Sequence, residues 1–159
     1  MNLPNKYLLS DLLKYHVKCD KGLDHGSGLS AWMHPPVHRL LGWSTKLSSF
    51  STSREIWRLD QLKGIGSDSV YVKGNPSITD QVTLERLPTL LYSDALNIKG
   101  ERIGSLVDFI FEPITGKIIQ YMISRTDPRI PGTSRWLLLI DRIVDQQPGM
   151  ASLNISSLD

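Results

Sequence analysis

The stretch SLVDFIFEPITGKIIQYMIS (105–124) constrains the fold more than any other part of the chain. Apolar and polar residues alternate over 105–112, and KIIQYMIS (117–124) is rich in β-branched and aromatic residues. PITG between them supplies a turn that ends on Gly116. A period of two puts alternate side chains on opposite faces of a strand and has no stable helical equivalent. RWLLLI (135–140) and MASLNI (150–155) read as two further strands. Short strands between Gly/Pro turns predict a mainly β fold, a small barrel or sandwich. RWLLLI is apolar on both faces, so Leu137 and Leu139 are expected to pack under a linker or against the rest of the chain.

The first half follows the same plan less cleanly. STSREIWRLDQL (51–62) lies on GTSRWLLLIDRI (132–143), matching both Thr-Ser-Arg triplets and carrying Asp60 onto Asp141. MHPPVHRLLGW (33–43) lies on FEPITGKIIQY (111–121), LLSD (8–11) resembles LLYSD (90–94), and VYV (70–72) resembles LNI (153–155). Ordered anchors of this kind read as a tandem duplication. The implied units are 1–75, a linker at 76–87, and 88–159. Within KGNPSITDQVTLERLP (73–88), Gly74 and Pro76 break any strand, and a short helix with Thr79 or Asp80 as its N-cap is expected. LSDLLKYHV (9–17) reads as a helical turn before a strand, and CDKGLDHGSG (19–28) as a loop. Units of about 70 residues are near the lower limit for an independent core, so the halves are expected to lean on each other.

Composition narrows the functional classes. The 159 residues are 40% hydrophobic and 21% charged, as in an ordinary globular protein, and the net charge of +2 disfavours nucleic acid as a partner. The run WLLLI (136–140) is far short of the roughly 20 apolar residues a membrane helix needs. The start reads as no signal peptide, and the single cysteine, Cys19, has no internal partner for a disulfide. A cytoplasmic location follows from that reading.

AWMHPPVHRLLGW (31–43) holds the densest set of candidate site residues. His34 and His38 would share a helical face, but Pro35 and Pro36 stand between them, so the segment reads as a hairpin tip. Trp32 points outward by strand parity. Trp32, His34, Pro35, Pro36 and His38 therefore form a candidate partner-binding patch. His16, Cys19, Asp24 or His25 could join the two histidines around a metal, yet no tight ligand pair is present, and the reading is of no metal site. Cys19 stands in no recognisable nucleophile motif, and GSG (26–28) and GIG (64–66) are too short for phosphate loops. Arg54 and Arg135, each opening a strand, are candidate anion-binding residues. Trp43 and Trp57 are assigned to the core.

LLYSDALNIKGERIGSLVDFIFEPITGKIIQYMI (90–123) resembles the PRC-barrel family through Gly100, Ile103, Gly104, Asp108 and Gly116. The resemblance covers about 88–156 and reaches the first half only through the internal repeat, where DKGLDHGSG (20–28) replaces the glycine turn. It implies two tandem barrels of about six strands joined by a short helical linker, most like the tandem PRC-barrel proteins of cyanobacteria. Distant relatives are the ribosome maturation factor RimM and the cytoplasmic part of the photosynthetic reaction-centre H subunit. The implied function is a non-enzymatic protein-interaction or assembly module without a cofactor, acting in photosynthetic-complex or ribosome biogenesis. A peripheral position at the thylakoid membrane is compatible with it. The alternative is a ligand- or metal-binding protein or enzyme with a site at the cleft between the barrels, using His34, His38 and Arg54.

Overall fold

The computed structural model of the chain describes residues 3–34, 38–46, 53–97 and 99–126, together with strands at 133–139, 143–146 and 152–155. A short strand, β1 (Tyr7–Leu8), leads into helix α1 (Leu9–Lys14). Then come β2 (His16–Lys18), β3 (Asp24–His34), β4 (Arg39–Lys46) and β5 (Ser53–Arg58). A 3-10 turn at Leu59–Gln61 precedes β6 (Leu62–Ile65), β7 (Ser69–Val72) and β8 (Ser77–Asp80). After helix α2 (Gln81–Glu85) follow β9 (Asp94–Asn97), β10 (Arg102–Phe111), β11 (Ile118–Thr126), β12 (Thr133–Leu139), β13 (Ile143–Gln146) and β14 (Ser152–Ile155).

The strands form two sheets. One runs β6-β7-β2-β3-β4-β5-β8, and the other runs β12-β11-β10-β9-β14-β13, with β1 added against β10. Each contains one parallel pair, β2 with β7 and β9 with β14. Neither sheet closes on itself, because β6 does not pair with β8, nor β12 with β13, among the described residues. The expected tandem barrels are therefore corrected to two open sheets, and the PRC-barrel resemblance does not extend to the fold. The tandem repeat of closed barrels is not borne out, although six strands run in the same order in each sheet, β6-β7-β2-β3-β4-β5 and β13-β14-β9-β10-β11-β12. β8 falls inside the expected linker yet is the seventh strand of the first sheet, and β1 leaves the first half to pair with the second. Alternation and glycine turns are local signals that specify strands. Closure depends on which edges meet and in what register, and local sequence carries little of that.

The core is continuous across both sheets. Leu9, Leu12, Trp43 and Trp57 belong to the same buried cluster as Leu106, Phe109, Phe111, Ile118 and Tyr121. Phe109 meets Phe111 and Tyr121 edge-on at 6.0 and 6.1 Å between ring centres, and Tyr7 on β1 meets Phe111 at 6.3 Å. α1 has no side-chain cap of its own. The buried Asp108 of β10 serves instead, accepting the amide of Ser10 at 3.1 Å and that of Phe109 at 2.8 Å. A carboxylate on amides of a helical first turn satisfies groups the helix leaves unpaired. α2 is capped conventionally, with the Asp80 carboxylate accepting the Thr83 amide at 2.7 Å. Leu137 and Leu139 lie on β12 in register with Met122 and Gln120, but their side chains lie outside the described residues.

The shared core predicts one cooperative unfolding transition. Phe111→Ala should cost about 3–5 kcal/mol. Denaturant midpoints from far-UV circular dichroism and from tryptophan fluorescence should fall together. Separate midpoints would show two independent cores.

Candidate functional site

The hairpin tip expected to face a partner is in part a clasp between the sheets. His38, in the turn just before β4, has a positive φ of 49°, and its carbonyl accepts the amide of Ile118 at 2.8 Å. The Leu40 amide returns a bond to the Gly116 carbonyl at 2.8 Å, and Arg39 bridges Lys117. Gly116 has φ +80°, and a Cβ there would strike the Leu40 carbonyl, so the contact requires glycine. The Tyr121 hydroxyl and Nδ1 of His38 share a hydrogen bond of 2.8 Å, with the rings 5.6 Å apart. Burial holds the His38 pKa below the usual histidine value and pushes the Tyr121 hydroxyl up. Both effects favour a neutral imidazole beside a neutral phenol.

The other expected patch members are dispersed. Trp32 is half-buried, with its ring across Gly42, where a Cβ would collide with it. His34 is exposed, and Pro35 and Pro36 lie outside the described residues. Arg54 is half-buried on β5 and donates from Nη1 to the Ser53 carbonyl at 3.1 Å. Arg135 lies on β12 opposite Ser124, its side chain outside the described residues. Trp43 and Trp57 are fully buried, and Trp57 donates through Nε1 to Thr45 Oγ1 at 3.1 Å.

Where the sheets meet beside α1 they leave a groove of about 300 Å³, lined by Leu9, Ser10, Leu13 and Lys14 on one wall and Leu91, Tyr92, Val107 and Asp108 on the other. Tyr92 is 77% exposed, and its backbone holds a φ of +64°. Its amide donates to the Leu106 carbonyl at 2.6 Å, and Ser93 and Leu106 close the turn with two further backbone bonds. A left-handed tyrosine costs on the order of 1 kcal/mol or more and persists because its neighbours fix it. On the floor, Oδ1 of Asp108 is held by the amides of Ser10 and Phe109.

A second cluster surrounds the turn between β2 and β3. Of the expected loop at 19–28 only 19–23 is a turn, because β3 begins at Asp24. His16 and Asp24 form an exposed pair at 2.9 Å, and Gly26 donates its amide to Asp24 at 2.8 Å. His25 reaches across β4 to β5, about 10 Å away at ordinary strand spacing. There Nδ1 meets Glu55 Oε2 at 2.6 Å, with the Glu55 side chain only 4% exposed. Trp57 lies edge-on to the imidazole at 4.9 Å. The partly exposed Cys19 thiol sits beside His25, which pulls its pKa below the usual thiol value, helped by the Leu23 and Lys21 amides. Burial works against charging His25, but Cys19 and Glu55 outweigh it and raise its pKa. Nε2 of His25 is buried without a hydrogen-bond partner among the described residues, so thiol and ring are electrostatic neighbours rather than a seated bond. Among the described residues no three His, Cys, Asp or Glu side chains converge so as to hold a metal ion.

Sequence reasoning assigned Trp57 to the core but passed over Glu55. Two residues before Trp57, it shares that residue's face, and a carboxylate on a core face calls for a partner. No helix among the described residues is long and apolar enough to cross a membrane. No protein-family model matches the chain, and no curated protein matches it in sequence.

The clasp should be pH-sensitive. A histidine with a lowered folded pKa contributes stability that is full above about pH 6.5 and lost as pH falls through that range. His25, raised, runs in the opposite sense, so the difference from a variant isolates His38. His38→Asn tolerates the positive φ and removes the titration. The loss of denaturant midpoint between about pH 7.5 and 5 should be smaller in this variant than in the parent.

Proposed function

We propose that the protein is a non-enzymatic binding module that takes a short segment of a partner protein into the groove between α1 and β10. The observation that carries this reading is Tyr92, an exposed aromatic ring held on a strained backbone at the groove's rim. Rigid aromatic side chains lose little entropy on binding and are typical anchors of interfaces. Leu9, Leu13 and Leu91 offer apolar wall surface, and Lys14 adds a cation at the edge. The fitting segment carries an aliphatic side chain for the groove, flanked by an acidic residue for Lys14. A further argument comes from energetics, since strain retained at an exposed position has no packing benefit to offset it.

Tyr92→Gly separates binding from folding. Glycine accepts the left-handed backbone, so stability should stay equal or rise by up to about 1 kcal/mol. Titration with short aliphatic–acidic peptides, followed by amide shifts of Leu13, Tyr92 and Val107, should show saturable binding in the parent and at least about tenfold weaker binding in the variant. Equal binding in both, or none in the parent, would remove the groove as the site.

A further inference from the structure

A second cleft opens where β5 runs out into the 3-10 turn at Leu59–Gln61, and it shares no lining residue with the groove beside α1. Arg58, Asp60 and Gln61 line it from one segment, and Lys73, Gly74 and Asn75 from another. They bound a space of about 480 Å³, within the range of small-molecule sites. One buried side chain fixes both segments. Oε1 of Gln61 accepts the Arg58 amide at 2.9 Å, and Nε2 donates to the carbonyls of Lys73 at 3.1 Å and Asn75 at 2.9 Å. The Gln61 carbonyl accepts the Lys73 amide at 2.9 Å as well. Gly74 holds φ +73°, a left-handed turn that lets the carbonyls on both sides of it meet the same side-chain amide. A buried amide with every one of these bonds made is costly to disrupt, so the two segments keep a set separation.

The charges on those segments define what fits. Arg58 and Lys73 are exposed cations, and Asp60 is the single carboxylate among the lining residues. Oδ1 of Asp60 accepts from Nε of Arg58 at 3.1 Å, which occupies the inner nitrogen of the guanidinium. The two outer nitrogens of Arg58 and the ammonium of Lys73 have no protein partner among the described residues. A guanidinium offers a planar fork of donors and an ammonium a compact point charge, and oxyanions accept from both. No large apolar side chain lines the cleft, so polar contacts rather than hydrocarbon burial select the ligand. We propose that this cleft binds a small molecule through a phosphate or carboxylate group held between Arg58 and Lys73, at the spacing that Gln61 sets. The site is separate from the peptide groove, and neither depends on the other.

The test is titration of the full chain with inorganic phosphate and, separately, with succinate, the ionic strength being held constant with sodium chloride. Amide shifts of Gly74 and Asn75 report on the cleft. At least one probe should give saturable shifts there, and the probe that does so tells a phosphate ligand from a carboxylate one. Arg58→Gln and Lys73→Gln should each weaken that binding at least about fivefold. Both side chains are exposed, so neither change should move the melting temperature appreciably. No saturable shift with either probe up to about 50 mM would overturn the proposal. So would a folded Arg58→Gln, Lys73→Gln double variant that binds as tightly as the parent, since the anion would then sit elsewhere. Should the double variant not fold, the two single variants decide by the same criterion.

Discussion

The reciprocal pair of backbone bonds between two hairpin tips holds this molecule together. Leu40 donates to Gly116 and Ile118 donates to His38, so each tip completes the other's hydrogen bonding. Without that exchange, the buried groups at both tips would lack partners, a cost of about 1–3 kcal/mol each. The His38–Tyr121 bond covers the junction and the aromatic group of Phe109, Phe111 and Tyr121 lies beneath it. The groove follows from the same junction, since its walls belong to elements that the clasp and β1 bring side by side.

Much of the local structure was legible because its causes are local. The alternation over 105–112 gives β10, Gly116 gives its turn, Asp80 caps α2, and the parity argument buries Trp43 and Trp57. What stayed illegible depends on distant pairing. Strand count and glycine turns do not say whether a sheet's outer strands meet, and here they do not. β1 is two residues long and carries no pattern a reader could detect. The functional residues divide the same way. The tip 31–43 was marked by composition, yet its meaning lay in Tyr121, which is 83 residues from His38 in the chain. Tyr92 had no mark at all, because a positive φ on tyrosine is imposed by neighbours and not by its own preference.

Two histidines illustrate how far environment governs one side chain. His38 is enclosed with a hydroxyl and no compensating charge, so its proton is disfavoured. His25 is also enclosed, yet a carboxylate and a thiol face it, and its proton is favoured. Burial acts against charge in both, and the nearby groups decide the sign. Burial keeps the first ring in its neutral form, and the groups facing the second favour its charged form. The two lie at different ends of the first sheet's strands.

The position of β1 has a consequence for how the molecule is made. Tyr7 pairs with Phe111 and Leu8 with Ile110, so β1 leaves the ribosome with its partner still more than a hundred residues downstream. Until that partner emerges, the edge of β1 and the underside of α1 stand open, and Leu9 and Leu12 lack half of their final surroundings. Pairings between such remote positions close late, because the loop entropy comes before the contacts. β1 thus waits for β10, and the nascent protein passes through a stage in which this segment is available to other strands, chaperones or copies of itself.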